Sequence, residues 1–337
     1  MHVVNNVHLP LELPEIAAEM GIPVVRSVTG GEDLCGLVIP LSRVDPGPGP
    51  CAPPLSTDAC SRCVRAARDV IGPTETEPPA RAMELLLARK RARAARQFDD
   101  VFSSVVFPSH RFRHYFEATL PLDPTRTRVV PMGLDLTDWG GDAVAHARPP
   151  RPPRGAGAPV VFVIAATLDP AKGIPMVVDA FSSAALAARD DWRLHFLGEG
   201  DRSLVAPLAD HPRVTVHGAY RAPELPGLLA DADVGISATR FETFHRVTHE
   251  YLLAGIPVIG TRVGSIPEVM RDGVNGRLLA RCDAAELARV VVDLLDDPAA
   301  RARLTEGART TPIRTVDDEV GDLMVEYDRV AATLPAP

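Results

Sequence analysis

The sequence predicts an α/β protein of two doubly wound domains, each built on a parallel sheet. At 337 residues the chain is too long for one ordinary compact domain and fits two of common size. From residue 160 onward, apolar runs rich in β-branched residues alternate with helical patterns, as in consecutive βαβ units. The first 140 residues repeat this alternation less clearly, and a segment rich in Pro and Gly separates the two parts.

The elements of the first part surround a stretch without clear periodicity. Residues 40–58 are rich in Pro and Gly, which interrupts the α/β alternation. Residues 79–97 predict a strongly charged helix, whose arginine run we interpret as a solvated face. In chain order, the predicted elements are a strand at 3–5, a helix at 11–20, a strand at 23–28, the helix at 79–97, a strand at 104–107, a helix from 109 and a strand at 128–131.

The domain boundary is predicted in residues 141–158, where Pro and Gly are dense and apolar periodicity is absent. This composition favours an extended, semi-rigid connector between a first domain at 1–140 and a second at 159–315. The second domain is predicted to hold the strands VVFVIAA, WRLHFLG, VTVHG, DVGISA and PVIGT, the helix KGIPMVVDAFSSAALAA, and turns at GEGD and DGVNG. Residues 316–333 predict a closing amphipathic helix whose apolar stripe must pack on a surface: Val320, Leu323, Met324 and Tyr327.

The charge balance excludes one class of partner. With 36 basic and 44 acidic residues the net charge is -8, which argues against binding to duplex nucleic acid, where phosphates must be neutralised. No window approaches the ~18 apolar residues of a membrane span, and the first residues lack a basic leader. We therefore expect a cytoplasmic protein without a transmembrane segment, and contact with a membrane surface stays open.

The segment FETFHRVTHE (241–250) places two carboxylates, Glu242 and Glu250, at the carboxyl end of a predicted strand, where doubly wound sheets bind ligands. If a helix begins near Thr243 or Phe244, its free N–H groups form an anion site between the two acids. Carboxylates accept hydrogen bonds from vicinal hydroxyls, so the pattern suits an extended nucleotide-sugar. The alternative is that Glu242 is a helix N-terminal acid, worth ~0.3 to 1 kcal/mol, and Glu250 a solvated residue.

This segment resembles the E-x7-E motif of family 4 glycosyltransferases of the group 1 type, which are retaining enzymes. Residues 214–279 are similar to that family's C-terminal domain in order and spacing. The resemblance extends to LDPAKG (168–173), LHFLGEGD (194–201), SVVFPSHRFRHYF (104–116) and RVVPMGLD (128–135). It implies the GT-B fold, with an acceptor-side and a donor-side Rossmann-like domain, and a final helix that crosses back to the first.

The resemblance also implies roles for individual residues. Lys172 would contact the donor diphosphate and Glu242 the transferred sugar, which makes them the candidate catalytic pair, and Glu250 would bind the ribose. The remaining donor-binding candidates are Phe244, His245, Arg246, Thr167, Gly198 and Gly200. The expected donor is a UDP, GDP or ADP sugar, the acceptor is unidentified, and no cofactor is required for the reaction.

Two residues depart from the family pattern within the donor site. Thr167 stands where the family usually has Arg, and losing one charge-assisted hydrogen bond costs ~1.5 to 3 kcal/mol unless another arginine substitutes. The candidates for that substitution are Arg240, Arg246 and Arg262. His245 stands where Gly is common, and it either donates to a phosphate or blocks the site. His249 is expected on the helix surface.

The start of the chain departs from the family pattern more strongly than the donor site does. The family pattern is entered only at HVVNNVH, without the first strands and the Gly-rich acceptor loop, so we expect an incomplete first domain and a true start upstream of Met1. The alternatives are a partner that covers the exposed sheet edge or a degenerate copy. Where many relatives carry a His-Asp pair near the acceptor, this chain has Thr29, Gly30 and Gly31, followed by Glu32 and Asp33 as substitute polar groups.

Four cysteines lie in a Cys-bearing insertion at 35–63: Cys35, Cys51, Cys60 and Cys63. The C-x2-C pair with two further cysteines suits a structural zinc site, or an iron–sulfur cluster as the less favoured metal. The alternative is free thiols or one disulfide.

The leading function is retaining transfer of a sugar from a nucleotide-sugar donor. A non-catalytic or degenerate GT-B partner subunit is one alternative, motivated by Thr167, His245 and the short N-terminal part. A nucleotide-sugar epimerase is another, although the N-terminal half lacks its fuller set of acid/base residues.

Overall fold

The structure is a computed structural model that describes residues 1–4, 10, 12–37, 39–41, 50–53, 55–66, 80–141 and 157–333. It divides into two compact units. The first unit is Met1–Met132 with Asp317–Pro337, and the second unit is Gly133–Val316. Most of the predicted connector lies outside the described residues.

The first unit contains a parallel sheet. Its strands, in the described part of the chain, run in the order β1 (His2–Val3), β2 (Val25–Ser27), β3 (Ser104–Phe107) and β4 (Thr127–Val129). The helices that accompany them are α1 (Leu13–Glu19), α2 (Thr57–Ala66), α3 (Ala80–Arg96) and α4 (His110–Glu117), and a π-helical turn at Gln97–Val101 follows α3. Strand β3 is fully buried, as its apolar sequence requires.

The arginine run of α3 is not only a solvated face, which corrects the sequence interpretation. Arg91 donates to the carbonyls of Leu34 and Leu55, and Arg93 forms ion pairs with Glu12 and Glu15. These side chains fasten α3 to α1 and to the loop after β2, because a guanidinium can donate several hydrogen bonds in fixed directions.

The second unit is a six-stranded parallel sheet within the described residues. Its strands are β5 (Val160–Ala165), β6 (Trp192–Leu197), β7 (Val214–Gly218), β8 (Val234–Ser237), β9 (Val258–Gly260) and β10 (Gly276–Leu278). Their order in the sheet is β7-β6-β5-β8-β9-β10, the doubly wound order that reverses between β5 and β8. A ligand site is therefore expected beyond the carboxyl ends of β5 and β8.

Helices cover the second sheet. They are α5 (Ile174–Phe181), α6 (Ala184–Ala187), α7 (Ala206–Ala209), α8 (Leu225–Leu228), α9 (Arg246–Leu253), α10 (Ile266–Val269), α11 (Ala284–Asp296) and α12 (Pro298–Arg309). Short 3-10 turns occur at Thr137–Trp139, Pro170–Lys172, Arg202–Val205 and Ala222–Glu224. The helix predicted at 172–188 is divided into α5 and α6, with Ser182 and Ser183 between them.

The second unit begins earlier in the chain than the composition predicted. Leu134 and Leu136 are buried in its core, and Leu134 forms a parallel β-bridge with Thr315. A boundary at 140 therefore falls inside this unit, because apolar side chains rather than Pro and Gly density fix where it starts.

The chain closes with α13 (Val316–Ala331). Leu323 and Tyr327 pack with Val330 against Val25 and Val106 of the first unit. Val320 and Met324 are about half exposed, so only part of the predicted apolar stripe is covered. Buried Glu326 adds polar anchoring, since it accepts hydrogen bonds from Ser104 and Arg329.

Candidate functional site in the second unit

The loop after β5 positions Lys172. Asp169 caps the 3-10 turn at Pro170–Lys172 by accepting from the Ala171 N–H at 2.6 Å. Gly173 follows with a φ of 74°, and a Cβ at this position would lie 2.0 Å from the Ala238 carbonyl oxygen. Glycine is therefore required here, and its absence of a side chain lets this loop lie directly against the end of β8.

The loop after β8 positions Glu242 against the same place. The Arg240 N–H donates to the Ala171 carbonyl at 2.8 Å, which ties the two loops together. Thr239 donates through its hydroxyl to Glu242 Oε1 at 3.0 Å. Both loops thus come from the two strands at the reversal point of the sheet.

The candidate catalytic residues contact each other. Lys172 Nζ lies 2.6 Å from Glu242 Oε1, with the side chains 35% and 14% exposed. One carboxylate oxygen of Glu242 thus accepts hydrogen bonds from both the Lys172 ammonium and the Thr239 hydroxyl. A diphosphate bound here would compete with Glu242 for the ammonium group, because both are anions.

Helix α9 begins later than the sequence predicted. Its first residue is Arg246, and His245 is the N-cap with φ 89° and ψ 74°. A helix cannot include a residue with this left-handed backbone, so the predicted start at Thr243 or Phe244 is wrong. Glu250 consequently lies little more than one turn into the helix.

The side chains of His245 and His249 are both buried. Burial lowers the pKa of each imidazole to about 4. His249 stacks on the Phe244 ring with 4.2 Å between ring centroids, so the expectation of a helix-surface position for His249 is wrong. Stacking on the buried ring of Phe244 favours a buried position for His249.

Glu250 pairs with Arg246, whose Nε lies 3.2 Å from Glu250 Oε1. Burial raises the pKa of the Glu250 carboxyl, and the nearby Arg246 charge opposes that shift. Burial and the neighbouring Glu250 charge raise the pKa of the Tyr220 phenol as well. Glu250 is thus paired with a guanidinium and lies close enough to the Tyr220 phenol to affect its pKa.

A cleft of about 490 Å³ opens where the two loops meet. We call it the switch-point cleft. Six of the predicted site residues line it: Thr167, Lys172, Gly198, Glu242, His245 and Arg246. Phe244, Gly200 and Glu250 are outside its lining, the first because its ring is in the core.

Gly198 and Gly200 shape the wall after β6. Their φ angles are 142° and 141°, and a Cβ on either would lie within 2.5 Å of the Ala166 or Leu168 carbonyl oxygen. Both glycines therefore allow the loops after β5 and β6 to lie directly against each other.

Sequence reasoning missed Tyr220 and Glu199, which also line the switch-point cleft. Their signal was positional, because each follows a parallel strand at its carboxyl end. Among the arginines proposed to replace the cation missing at Thr167, Arg246 lines the cleft, and its side chain is 60% exposed.

The four cysteines of the first unit line one cavity of about 340 Å³ but remain free thiols. Three of the sulfurs have separate partners: Cys60 accepts from Arg91, Cys35 accepts from the Leu37 N–H, and Cys63 lies near the Leu41 carbonyl. Among the described residues, no group of three or more His, Cys, Asp or Glu side chains is placed to hold a metal ion. The predicted zinc site therefore has no support in this structure.

The two acids expected near the acceptor form buried ion pairs instead. Glu32 and Asp33 both form ion pairs with buried Arg26, at 2.8 and 2.9 Å. All three side chains are buried, so this cluster fastens the loop after β2.

Comparison with known proteins gives this geometry a family context. The family described as "Glycosyl transferases group 1" matches residues 158–297. Residues 158–297 are a glycosyl transferases group 1 domain. This group 1 domain includes both loops of the switch-point cleft, the whole of α9 and the strands from β5 to β10.

Two relatives show how far the similarity extends. A D-inositol 3-phosphate glycosyltransferase of Salinispora arenicola is 32% identical over 210 residues, or 56% of this chain and 46% of the relative. An MMP alpha-(1->4)-mannosyltransferase of Mycolicibacterium hassiacum is 28% identical over 194 residues, or 56% of this chain and 44% of the relative. Each match spans less than half of the relative's length.

A solved structure extends the similarity beyond the group 1 domain. Anabaena HepE in complex with UDP superposes with a TM-score of 0.64 over 95% of this chain and 76% of that chain, at 16% identity. The GT-B fold predicted from the sequence is confirmed. Among the described residues, no helix has the length and apolar character needed to span a membrane.

Proposed function

We propose that the chain is a retaining glycosyltransferase that moves a sugar from a nucleotide-sugar donor to an acceptor. The observation that carries this proposal is the meeting of Lys172, Glu242 and Arg246 in one cleft at the reversal point of a doubly wound sheet. Cations in that place suit a diphosphate, and carboxylates beside them suit hydroxyl groups. The relatives named as glycosyltransferases and the neighbour bound to UDP support the same reading.

Each residue then has a part in binding or reaction. Lys172 compensates the negative charge that develops on the leaving diphosphate. Glu242 orients the transferred sugar by accepting hydrogen bonds from the sugar hydroxyls. Glu250 pairs with Arg246, and Tyr220 lines the same cleft as Arg246, so Glu250 and Tyr220 suit the ribose and base of the nucleotide. The N–H groups of Arg246 and Val247 begin α9, and they add donors for phosphate oxygens.

The cycle begins with exchange of ion-pair partners. The Lys172 ammonium is paired with Glu242 at 2.6 Å. Diphosphate binding draws the ammonium away and leaves the Glu242 carboxylate for sugar hydroxyls. The same contact keeps both side chains oriented, which reduces the ordering cost of binding.

The assay that tests this function uses UDP-, GDP- and ADP-hexoses without acceptor. We expect the sugar of one nucleotide class to be transferred slowly to water, which releases the nucleoside diphosphate, and we expect that class to raise the Tm of the protein. A ligand at 100 times its Kd stabilises the folded state by ~2.7 kcal/mol, so a shift of several degrees is expected.

The outcome separates the competing functions. If no nucleotide sugar shifts the Tm and none is hydrolysed, the degenerate partner subunit becomes the better explanation. An epimerase would instead change the configuration of the sugar, which NMR spectra of the recovered nucleotide sugar would show. The acceptor, the cytoplasmic location and contact with a membrane surface stay predictions.

A further inference from the structure

His245 has an unusual backbone conformation. It is the single non-glycine residue with a positive φ in the described part of the chain, at 89°, where the remaining positive-φ residues are glycines. A side chain with a Cβ is strained in this region, and glycine would adopt the same backbone freely. A strained residue that persists at the edge of a cleft calls for a functional explanation.

The ring of His245 is held in one orientation. Its Nδ1 lies 2.7 Å from the Thr248 hydroxyl and 3.3 Å from the Thr248 backbone nitrogen. A backbone N–H can only donate, so Nδ1 carries a lone pair and the proton of the neutral ring is on Nε2. Thr248 is itself fixed by the hydroxyl of Ser237 at 2.8 Å, which ties the ring to the end of β8.

The free edge of the ring faces charged groups of the switch-point cleft. Nε2 lies 3.9 Å from Glu242 Oε1, which is too far for a hydrogen bond. That same oxygen is paired with Lys172, and the ring lines the cleft. The other titratable groups against His245 are Arg246, which follows it and also lines the cleft, and His249, whose Nδ1 lies 3.2 Å from the His245 carbonyl.

We propose that the neutral Nε2–H of His245 donates a hydrogen bond to a phosphate oxygen of the donor, and that the strained backbone is retained for this contact. The inference deepens the proposed function and rests on it. A neutral donor suits this position because the ring is almost fully buried, and an N–H group adds a hydrogen bond without burying a charge. It also compensates in part for the uncharged Thr167 on the opposite loop.

Two variants of His245 and one of Lys172 test the proposal. Calorimetric titration with UDP, GDP and ADP first identifies the nucleoside diphosphate that binds. For that ligand we expect His245→Gly to weaken binding about tenfold or more, the usual loss for a hydrogen bond to a charged group. His245→Asn should stay within about threefold of wild type, because Asn tolerates the left-handed backbone and offers an N–H donor.

Measurements at several pH values distinguish a neutral donor from an imidazolium. Because burial lowers the pKa of His245 to about 4, the affinity ratio between wild type and His245→Gly should be the same from pH 6 to pH 8. An imidazolium donor would make that ratio fall as the pH rises past 6.5. Circular dichroism of the two variants checks that both are folded.

Three results would overturn the proposal while leaving the function intact. The first is His245→Gly binding the nucleoside diphosphate as tightly as wild type, which would mean that the ring only occupies space. The second is an effect seen with nucleotide sugars but not with the diphosphate, which would assign the ring to the sugar. The third is a pH-dependent ratio. If wild type binds no nucleotide and Lys172→Ala changes nothing, the proposed function itself fails.

Discussion

At the residue scale, the candidate site combines residues that a sequence pattern can identify with contacts that it cannot. The spacing of Glu242 and Glu250 and the Lys-Gly pair at Lys172 predicted the loops that meet in the cleft. The ion pair between Lys172 and Glu242 was not predictable, since the two residues are seventy positions apart. Their contact depends on the order of β5 and β8 in the sheet, which no local pattern encodes.

His245 illustrates the same limit. Its departure from the usual glycine raised two alternatives from the sequence, a phosphate donor or a blocked site. The backbone angle and the Thr248 contact choose between ring orientations, because they leave Nε2 as the edge near Glu242. Only a structure could supply that information.

The two buried histidines predict a pH-dependent stability. In the folded state the pKa values of His245 and His249 are lowered to about 4 from 6.5, so the unfolded chain binds more protons between these values. The contribution of the two neutral histidines to stability is therefore present above pH 6.5, and it is lost as the pH falls towards 4. Between pH 7 and pH 5 the free energy of unfolding should fall by roughly 2 kcal/mol for each histidine.

Urea unfolding at both pH values measures this loss. His249→Phe preserves an aromatic ring against Phe244 and removes one titrating group, so its loss between pH 7 and pH 5 should be smaller by about half. The control is His114→Gln, which changes an exposed ring and should behave as wild type. An identical pH dependence in wild type and His249→Phe would contradict the assignment.

At the scale of elements, apolar runs predicted the strands well, because a buried parallel strand needs a nearly continuous apolar sequence. The runs at 160–166, 192–198 and 104–107 correspond to β5, β6 and β3. Helix limits were less predictable. The start of α9 moved to Arg246 because of the backbone of His245, and the stripe of α13 is only partly covered because Val320 and Met324 face solvent.

Helix α9 is joined to the sheet by a buried tyrosine. Strands β5 and β8 pair only at Phe162 and Val163, so the Ala165 N–H lies beyond the ladder. The Tyr251 hydroxyl accepts from that N–H at 2.6 Å and donates to the Val163 carbonyl at 3.3 Å. The absence of a side chain on Gly235 gives the ring its place, since a Cβ there would lie 2.4 Å from it.

Replacing this tyrosine tests how the helix is held. Tyr251→Phe leaves the Ala165 N–H buried without its acceptor, and we expect a loss of ~1 to 3 kcal/mol in the free energy of unfolding. Thermal and urea unfolding measure the loss. Tyr115→Phe removes a hydroxyl that donates to the Cys51 carbonyl in the first unit, at a less buried place, and should cost less. Equal stability of Tyr251→Phe and wild type would show that the hydroxyl is dispensable.

At the scale of the whole molecule, the sequence predicted two parallel-sheet domains, and the superposition with a UDP-bound structure confirms that fold. The limits of the two units were harder to predict. Leu134 and Leu136 assign the residues before the Pro and Gly segment to the second unit, and Asp317–Pro337 returns to the first. Contacts between distant parts of the chain fix these limits, whereas composition reports only on local chain stiffness.

For the cysteines, the spacing in the sequence predicted a zinc site that the structure does not support. Four thiols do line one cavity, but three of their sulfurs have separate hydrogen-bond partners. A sequence shows the spacing of potential ligands, but a metal site also needs them at coordination distance in a tetrahedral arrangement.

The central claim is that the switch-point cleft binds a nucleotide-sugar through Lys172. Calorimetric titration of UDP, GDP and ADP sugars into wild type, Lys172→Ala and Lys90→Ala tests it most directly, because these are the two lysines of the chain. We predict binding of one nucleotide class by wild type and by Lys90→Ala, and an affinity ~10- to 100-fold lower for Lys172→Ala. Absence of binding by wild type, or equal affinity of wild type and Lys172→Ala, would contradict the claim.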